Sequence, residues 1–403
     1  MANEALHLAR GGGGGSSSGG SSGGGFSGGA AYVGASTASS SNSDGSFWPA
    51  FIVFMIVIII YYLVTRLVKI KVQKNLPGGF VDAKNSSDSD IAAKAKAVEK
   101  IFLDFQSAWS EFDLKTIKSV TTDDYYKRMV LELNVLKNYG RKNLMENVEV
   151  QRIGISSQTS ESNSFDAYIV AVAKDQLIDE KSDKVLFTDS SAFSEIWHFE
   201  IKGKKILLAG ITQTTEDNSK FDQQIASFAK VNGFYYDSDF GWLMMPSRGA
   251  IFGPAGFGSA DINNHVIGYY KDKIVEFYSY EPKAGQGMKP LTVAQAILPK
   301  KYDDILVTEK SWYNFKPKLK GLEKVETESN DFNKKFSVWA AKPNRATSFE
   351  LLATNFMERI YKQHYEINIE VVDNVLYFYS PSTNIDYADM LEVLSWAFEE
   401  MKM

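Results

Sequence analysis

Ala192-Phe-Ser-Glu-Ile-Trp-His-Phe-Glu-Ile201 alternates side chains with a period of two. That spacing places Phe193, Trp197 and Phe199 on one face of an extended strand, with Glu195 between them. The alternation resumes from Lys205 to Gln213 after Lys202-Gly203-Lys204, which predicts an antiparallel hairpin. Working outward, Phe165 to Ile178 reads as a long strand and Val148 to Ser156 as another. Further upstream the period changes. Val98, Phe102, Phe105 and Trp109 recur at helical spacing inside Ile91 to Phe112. Asp113 is a good N-cap for a short helix, Leu114 to Val120. Thr121 with Asp124 resembles a capping box. It opens a third helix through Tyr125, Met129, Leu133 and Leu136, ending near Tyr139-Gly140. Three helices followed by a twisted antiparallel sheet predict an α+β cone with the helices over its concave face.

Two readings of the aromatic face stand side by side. Phe193, Trp197 and Phe199 pack on the helices as core, or some of them, with Trp109 and Tyr125, line an apolar pocket for an acyl chain or a hydrophobic peptide. His198 belongs to the opposite face of its strand, which argues against it as a base inside the cone.

Ile101-Phe-Leu-Asp-Phe-Gln-Ser-Ala-Trp109, Asp113-Leu114, Thr121-Thr-Asp-Asp-Tyr-Tyr126, Val148-Glu-Val150 and Glu195-Ile-Trp-His-Phe199 resemble, in that order, the Tim44-like domain. The resemblance implies an NTF2-like cone of helices and curved sheet. In mitochondria the namesake recruits an Hsp70 motor to the import channel and contacts lipid; bacterial relatives commonly carry one membrane helix. This chain lacks the long charged N-terminal region with which the mitochondrial protein engages its partners. What the resemblance implies here is a membrane-associated, non-catalytic adaptor or a lipid- or protein-binding module.

Downstream, residues 220–403 read as a second α+β domain. Phe221 to Val231 looks helical, and Gly241 to Leu243 reads as strand. Val266 to Tyr270 and Ile274 to Tyr280 form a hairpin around Lys271-Asp272, and Leu291 to Leu298 is a further strand. Thr347 and Glu350 suggest a capping box for a helix through Leu351, Phe356 and Ile360. Ile367 to Val372 and Val375 to Tyr379 pair around Asp373-Asn374, and a last helix starts at Asp386. Val325-Glu-Thr-Glu-Ser329, Asp331-Phe-Asn-Lys-Lys-Phe-Ser-Val338 and Leu351-Leu352 are similar to an uncharacterised prokaryotic domain found in membrane-associated proteins, which implies architecture without a known activity.

Upstream of both domains, Phe47 to Val64 carries no charge and centres on Phe51-Ile-Val-Phe-Met-Ile-Val-Ile-Ile-Ile60. About 20 apolar residues span a hydrocarbon core of about 30 Å, so residues 47–65 read as one transmembrane helix. Residues 1–46, rich in Gly and Ser, read as a disordered tail. Arg66, Lys69, Lys71 and Lys74 follow the helix closely, and the positive-inside rule places the C-terminal bulk in the cytoplasm and the tail outside. Those cations also suit anionic headgroups. Residues 66–90 form a basic juxtamembrane segment and a flexible linker, and residues 91–215 the Tim44-like domain.

Composition narrows the chemistry. The 403 residues hold no cysteine and four histidines, with a net charge of -5. Disulfides and thiolate chemistry are excluded, no nucleic-acid partner is expected, and neither a metal nor a cofactor is called for. Gly253-Pro-Ala-Gly-Phe-Gly-Ser259 lacks the Lys-Ser/Thr ending of a phosphate-binding loop. Asp237-Ser-Asp239 could ligate a hard cation, but an acidic pair on a loop is usually solvated. The expectation is a single-pass protein of a bacterial plasma membrane, with membrane lipids and an unknown protein as partners. It would act as a binding or scaffold protein, for instance an adaptor in translocation or membrane-protein biogenesis. The rival is an enzyme using the cone's pocket.

Overall fold

The computed structural model describes residues 76–157, 163–214, 221–239, 249, 251, 262–281, 290–310, 321–341, 347–382 and 385–403. The tail, the Phe47–Val64 segment, the cations Arg66, Lys69, Lys71 and Lys74, the Gly241–Leu243 strand and the Gly253–Ser259 cluster lie outside the described residues. Among the described residues no helix is long and apolar enough to cross a membrane.

The first unit opens with strand β1 (Phe80–Asp82) and a 3-10 turn (Ala83–Asn85). The sequence reads a flexible tether here, but β1 pairs with Gly154–Ser156. Asp82 also holds Arg152 at 2.7 Å, so this part of the tether is structured. Helix α1 (Ser89–Glu111) is capped by Asp88 and buries Val98, Phe102, Phe105 and Trp109. Helix α2 (Leu114–Val120) starts at its Asp113 cap. Helix α3 (Asp123–Tyr139) ends on Gly140 at φ 65°, a left-handed conformation that glycine adopts without a Cβ clash. Its N-cap is Thr122, one residue later than the expected Thr121. Thr121 is drawn elsewhere: its hydroxyl donates to the Ile117 carbonyl at 2.8 Å, and it bridges to Leu208 on the sheet.

Strands β2 (Arg141–Ser156), β3 (Ser164–Asp179), β4 (Lys184–Asp189), β5 (Ala192–Lys202) and β6 (Lys205–Gln213) complete the cone. The sheet runs β1-β2-β3-β5-β6, with β4 also paired to β3. β2 begins at Arg141, earlier than expected, because its first inward positions carry Arg141 and Asn143 in place of an apolar signal.

The second unit is a nine-stranded sheet in the order β12-β13-β11-β14-β15-β10-β9-β8-β7. Its strands are β7 (Tyr235–Asp239), β8 (Ile262–Tyr270), β9 (Lys273–Tyr280), β10 (Leu291–Ile297), β11 (Ile305–Glu309), β12 (Glu323–Val325), β13 (Phe336–Ala340), β14 (Asn368–Val372) and β15 (Val375–Pro381). Helices α4 (Gln223–Asn232), α5 (Asn330–Lys335), α6 (Thr354–Tyr361) and α7 (Tyr387–Glu400) accompany it. The expected box at Thr347 and Glu350 does not open α6. A 3-10 turn (Thr347–Leu352) comes first, and α6 starts after Ala353 with no side-chain cap.

This sheet is covered on both faces, which explains its near-continuous apolar strands. Val275, Phe277, Leu376 and Phe378 pack with Met390, Leu394 and Phe398 of α7 in one core. Tyr278, Val293, Tyr377 and Tyr379 belong to the other core, which is continuous with that of the first unit.

Candidate functional site

The five aromatic residues singled out from the sequence come together. Trp109, Tyr125, Phe193, Trp197 and Phe199 are all buried. Phe105 bridges them: its ring lies 6.3 Å from Trp109, 6.4 Å from Tyr125 and 5.5 Å from Trp197. Phe102 stands 5.0 Å from Trp197 and 6.4 Å from Phe193, and Trp197 stacks on Phe199 at 6.3 Å. Centroids at these distances are in ring-to-ring contact. Glu195 and Asn143 are hydrogen-bonded inside this set, whereas the buried Gln106 amide of α1 meets no partner among the described residues. Glu195 accepts from the Trp197 indole at 2.8 Å and from Gln213 at 2.7 Å. Asn143 accepts from the Trp109 indole at 3.0 Å and donates to Asp175 at 2.6 Å.

On the opposite face, His198 lies 2.8 Å from both the Asp166 carboxylate and the Thr212 hydroxyl. Its half-exposed ring is therefore oriented by two neighbouring strands and can hold a proton at either nitrogen.

A second constellation, absent from the sequence reading, joins the two units. One residue from each of six adjacent strands forms a polar row. Asp237 on β7 pairs with His265 on β8. Glu276 on β9 pairs with Gln295 on β10, Gln295 with Tyr377 on β15, and Tyr377 with Glu370 on β14. His265, Glu276, Gln295 and Tyr377 are at most 1% exposed.

Helix α3 of the first unit lays its own polar stripe on this row. Arg128, Glu132 and Tyr139 follow one another at four and seven residues, which places them on one helical face. Arg128 donates to Glu132 and to Asp237, each at 2.7 Å. Asp237 is thus held by a guanidinium rather than solvated. Tyr139 donates to Glu276 at 2.9 Å and accepts from Gln295 at 2.8 Å. Gln295 also donates to Glu276 at 2.8 Å and accepts from Tyr278 at 2.8 Å. His265 lies 3.0 Å from the other oxygen of Glu276. At the helix rim Asn134 donates to the Tyr269 hydroxyl at 2.9 Å.

Burial governs the electrostatics. It pushes the Glu132 carboxyl up to about 7 against the pull of Arg128. It holds the Tyr139 and Tyr278 phenols well above their ordinary range, with Glu276 reinforcing the effect on both. Burial works to lower Arg128, and the carboxylates of Asp237 and Glu132 outweigh it, so the guanidinium stays charged. Such a row can bind and store protons and fix the register between two units. The signal for it is present in the sequence. Glu276, Gln295 and Glu370 are lone polar residues within Ile-Val-Glu-Phe-Tyr, Val-Ala-Gln-Ala-Ile and Ile-Glu-Val-Val.

A shallow surface groove of about 310 Å³ lies between α1 and β2, beside β1. It is lined by Lys84, Lys96 and Arg152, with Glu99 as its acidic member.

Residues 92–206 match the Tim44-like domain. Residues 290–394 match a family described as a protein of unknown function (DUF3137). No curated protein matches the chain. Among solved structures, the mycobacterial trehalose monomycolate transport factor A, TtfA, is similar at 15% identity and a TM-score of 0.34. That similarity covers 44% of this chain and 90% of that one.

Proposed function

We propose that this chain is a membrane-held binding or scaffold protein of a bacterial plasma membrane. Its Tim44-like region meets a lipid or protein partner at the cytoplasmic surface, in the service of translocation or membrane-protein biogenesis. The observation that carries the reading is the groove beside β1, where Lys84 and Lys96 stand with Glu99 and with Arg152, which pairs with Asp82. In the sequence, Arg66, Lys69, Lys71 and Lys74 stand between the apolar Phe47–Val64 segment and β1. Basic side chains at that place suit an anionic headgroup or an acidic partner segment, each contributing about 1 kcal/mol near an anionic surface. The Tim44-like match supports the class of function, and the aromatic side chains Trp109, Tyr125, Phe193, Trp197 and Phe199 belong to the core of the same unit. The reading has no catalytic step.

Two measurements test it. Carbonate extraction of cells should leave the full chain in the membrane pellet; release into the supernatant overturns the anchor. A photo-crosslinking amino acid at position 96 should capture a lipid or a protein in cells. Recovery of uncrosslinked chain alone would sink the binding role of the groove.

A further inference from the structure

We propose that the contact between α3 and the second sheet is a proton-loaded latch, closed when Glu132 carries a proton and loosened when it ionises. Geometry carries the argument: one guanidinium is shared by two carboxylates at a buried contact. The titratable and charged groups facing Glu132 are Arg128 on its own helix, Asp237 on β7 and His265 on β8; the phenol of Tyr125 also lies near the Arg128–Glu132 pair, with Glu195 of β5 beyond it. Glu276 on β9 stands behind His265, and Arg141 lies within electrostatic reach of Glu276.

Arg128 bonds two carboxylates, Glu132 and Asp237, each at 2.7 Å, and one guanidinium offsets only one of the two charges. Asp237 keeps 14% of its side-chain surface exposed and Glu132 only 3%, so Glu132, the less hydrated carboxyl, takes the proton. The raised pKa of Glu132 agrees with this assignment.

The direction follows from linkage. A carboxyl raised from 4.5 to about 7 in the docked state binds more protons docked than undocked. Docking is therefore full below the lower value and weakens as pH rises through the window. The limiting slope is about tenfold in the docking constant per pH unit. Above the window docking stays at its weaker level. Geometry makes this an interface event. Arg128–Asp237, Tyr139–Glu276, Gln295–Tyr139 and Asn134–Tyr269 all cross between the units, and they are made by α3 alone among the helices.

The experiment is hydrogen exchange of the full-length chain in detergent between about pH 5 and about pH 8, corrected for the intrinsic exchange rate. Peptides covering α3, β7 and β8 should lose protection as pH rises, while the β3–β5 ladder of the first unit keeps its protection. Glu132→Gln should hold those peptides protected at both ends of the range. Asp237→Asn leaves Arg128 to serve Glu132 alone, so the transition should move to lower pH. An unchanged wild-type profile overturns the latch. So does a Glu132→Gln profile that follows the wild type. If Glu132→Gln fails to fold, Asp237→Asn decides: a window moved down supports the latch, and an unmoved one overturns it.

Discussion

The two units bury their sheets by different means. In the first, α1 closes over Phe193, Trp197 and Phe199, and the polar groups under it, Glu195 and Asn143, are each bonded within the unit. In the second, one face of the sheet is an aliphatic and aromatic core under α7. The other face shares the first unit's apolar core through Tyr278, Val293 and Tyr379, and across it runs a polar row on which α3 lies. A core of rings is indifferent to its partner's exact groups, because dispersion and water exclusion act over the whole surface. A buried polar row is demanding, since each donor without an acceptor carries a desolvation cost. The ring cluster is thus completed within the first unit, whereas the polar row takes partners from both.

The largest effect should come from the ring cluster. Trp197 is fully buried and touches Phe102, Phe105 and Phe199. Trp197→Ala should cost about 3–5 kcal/mol, read as a lower denaturant midpoint of the first unit. A loss below about 1 kcal/mol would mean the cluster collapses onto the space, and the contrast between the two units would lose its basis.

How far each unit was legible follows from the same contrast. The helices from Ser89 to Tyr139 and the β5–β6 hairpin could be read because most of their buried positions are apolar, Gln106, Glu132 and Glu195 excepted, and their ends carry Asp113 and Gly140. β2 could be read only from its second half, since Arg141 and Asn143 occupy inward positions that usually hold aliphatic side chains. β11 and β13 are five-residue strands. The first four residues of β11 are all buried, so little alternation marks it. The aromatic residues of the first unit were found because rings at period two signal burial. The polar row was missed for the converse reason: Glu276 and Gln295 look like solvent-facing residues until α3 is placed over them.

The next effect sharpens the polar half of the comparison. Glu276→Leu removes the acceptor of Tyr139 and Gln295 and the partner of His265. Leaving such groups buried should cost about 2–4 kcal/mol, measured as a drop in the midpoint of the second unit. Glu276→Gln keeps an oxygen in place and should cost about half as much. Equal losses for the two variants would show that the carboxylate's charge, rather than its accepting oxygens, holds the row together.

The smallest effect separates two helices on the apolar side of the second unit, where α3 has no part. Helix α7 is held at its start by a reciprocal box: Asp386 accepts from Ala388 and Asp389, and Asp389 accepts from the Asp386 amide. Helix α6 begins after Ala353, whose side chain can satisfy none of its first amides. Asp386→Ala should therefore lose about 1 kcal/mol and Ala353→Ser should gain up to about 1 kcal/mol, both by thermal or urea melts. The serine reads the site because it adds an acceptor without adding charge beside Glu326 and Glu328, which line the cleft at this helix start. If Ala353→Ser brings no gain while Asp386→Ala costs the expected amount, the first amides of α6 are already satisfied by water in that cleft. The two helices then differ in how they are hydrated rather than in how they are capped.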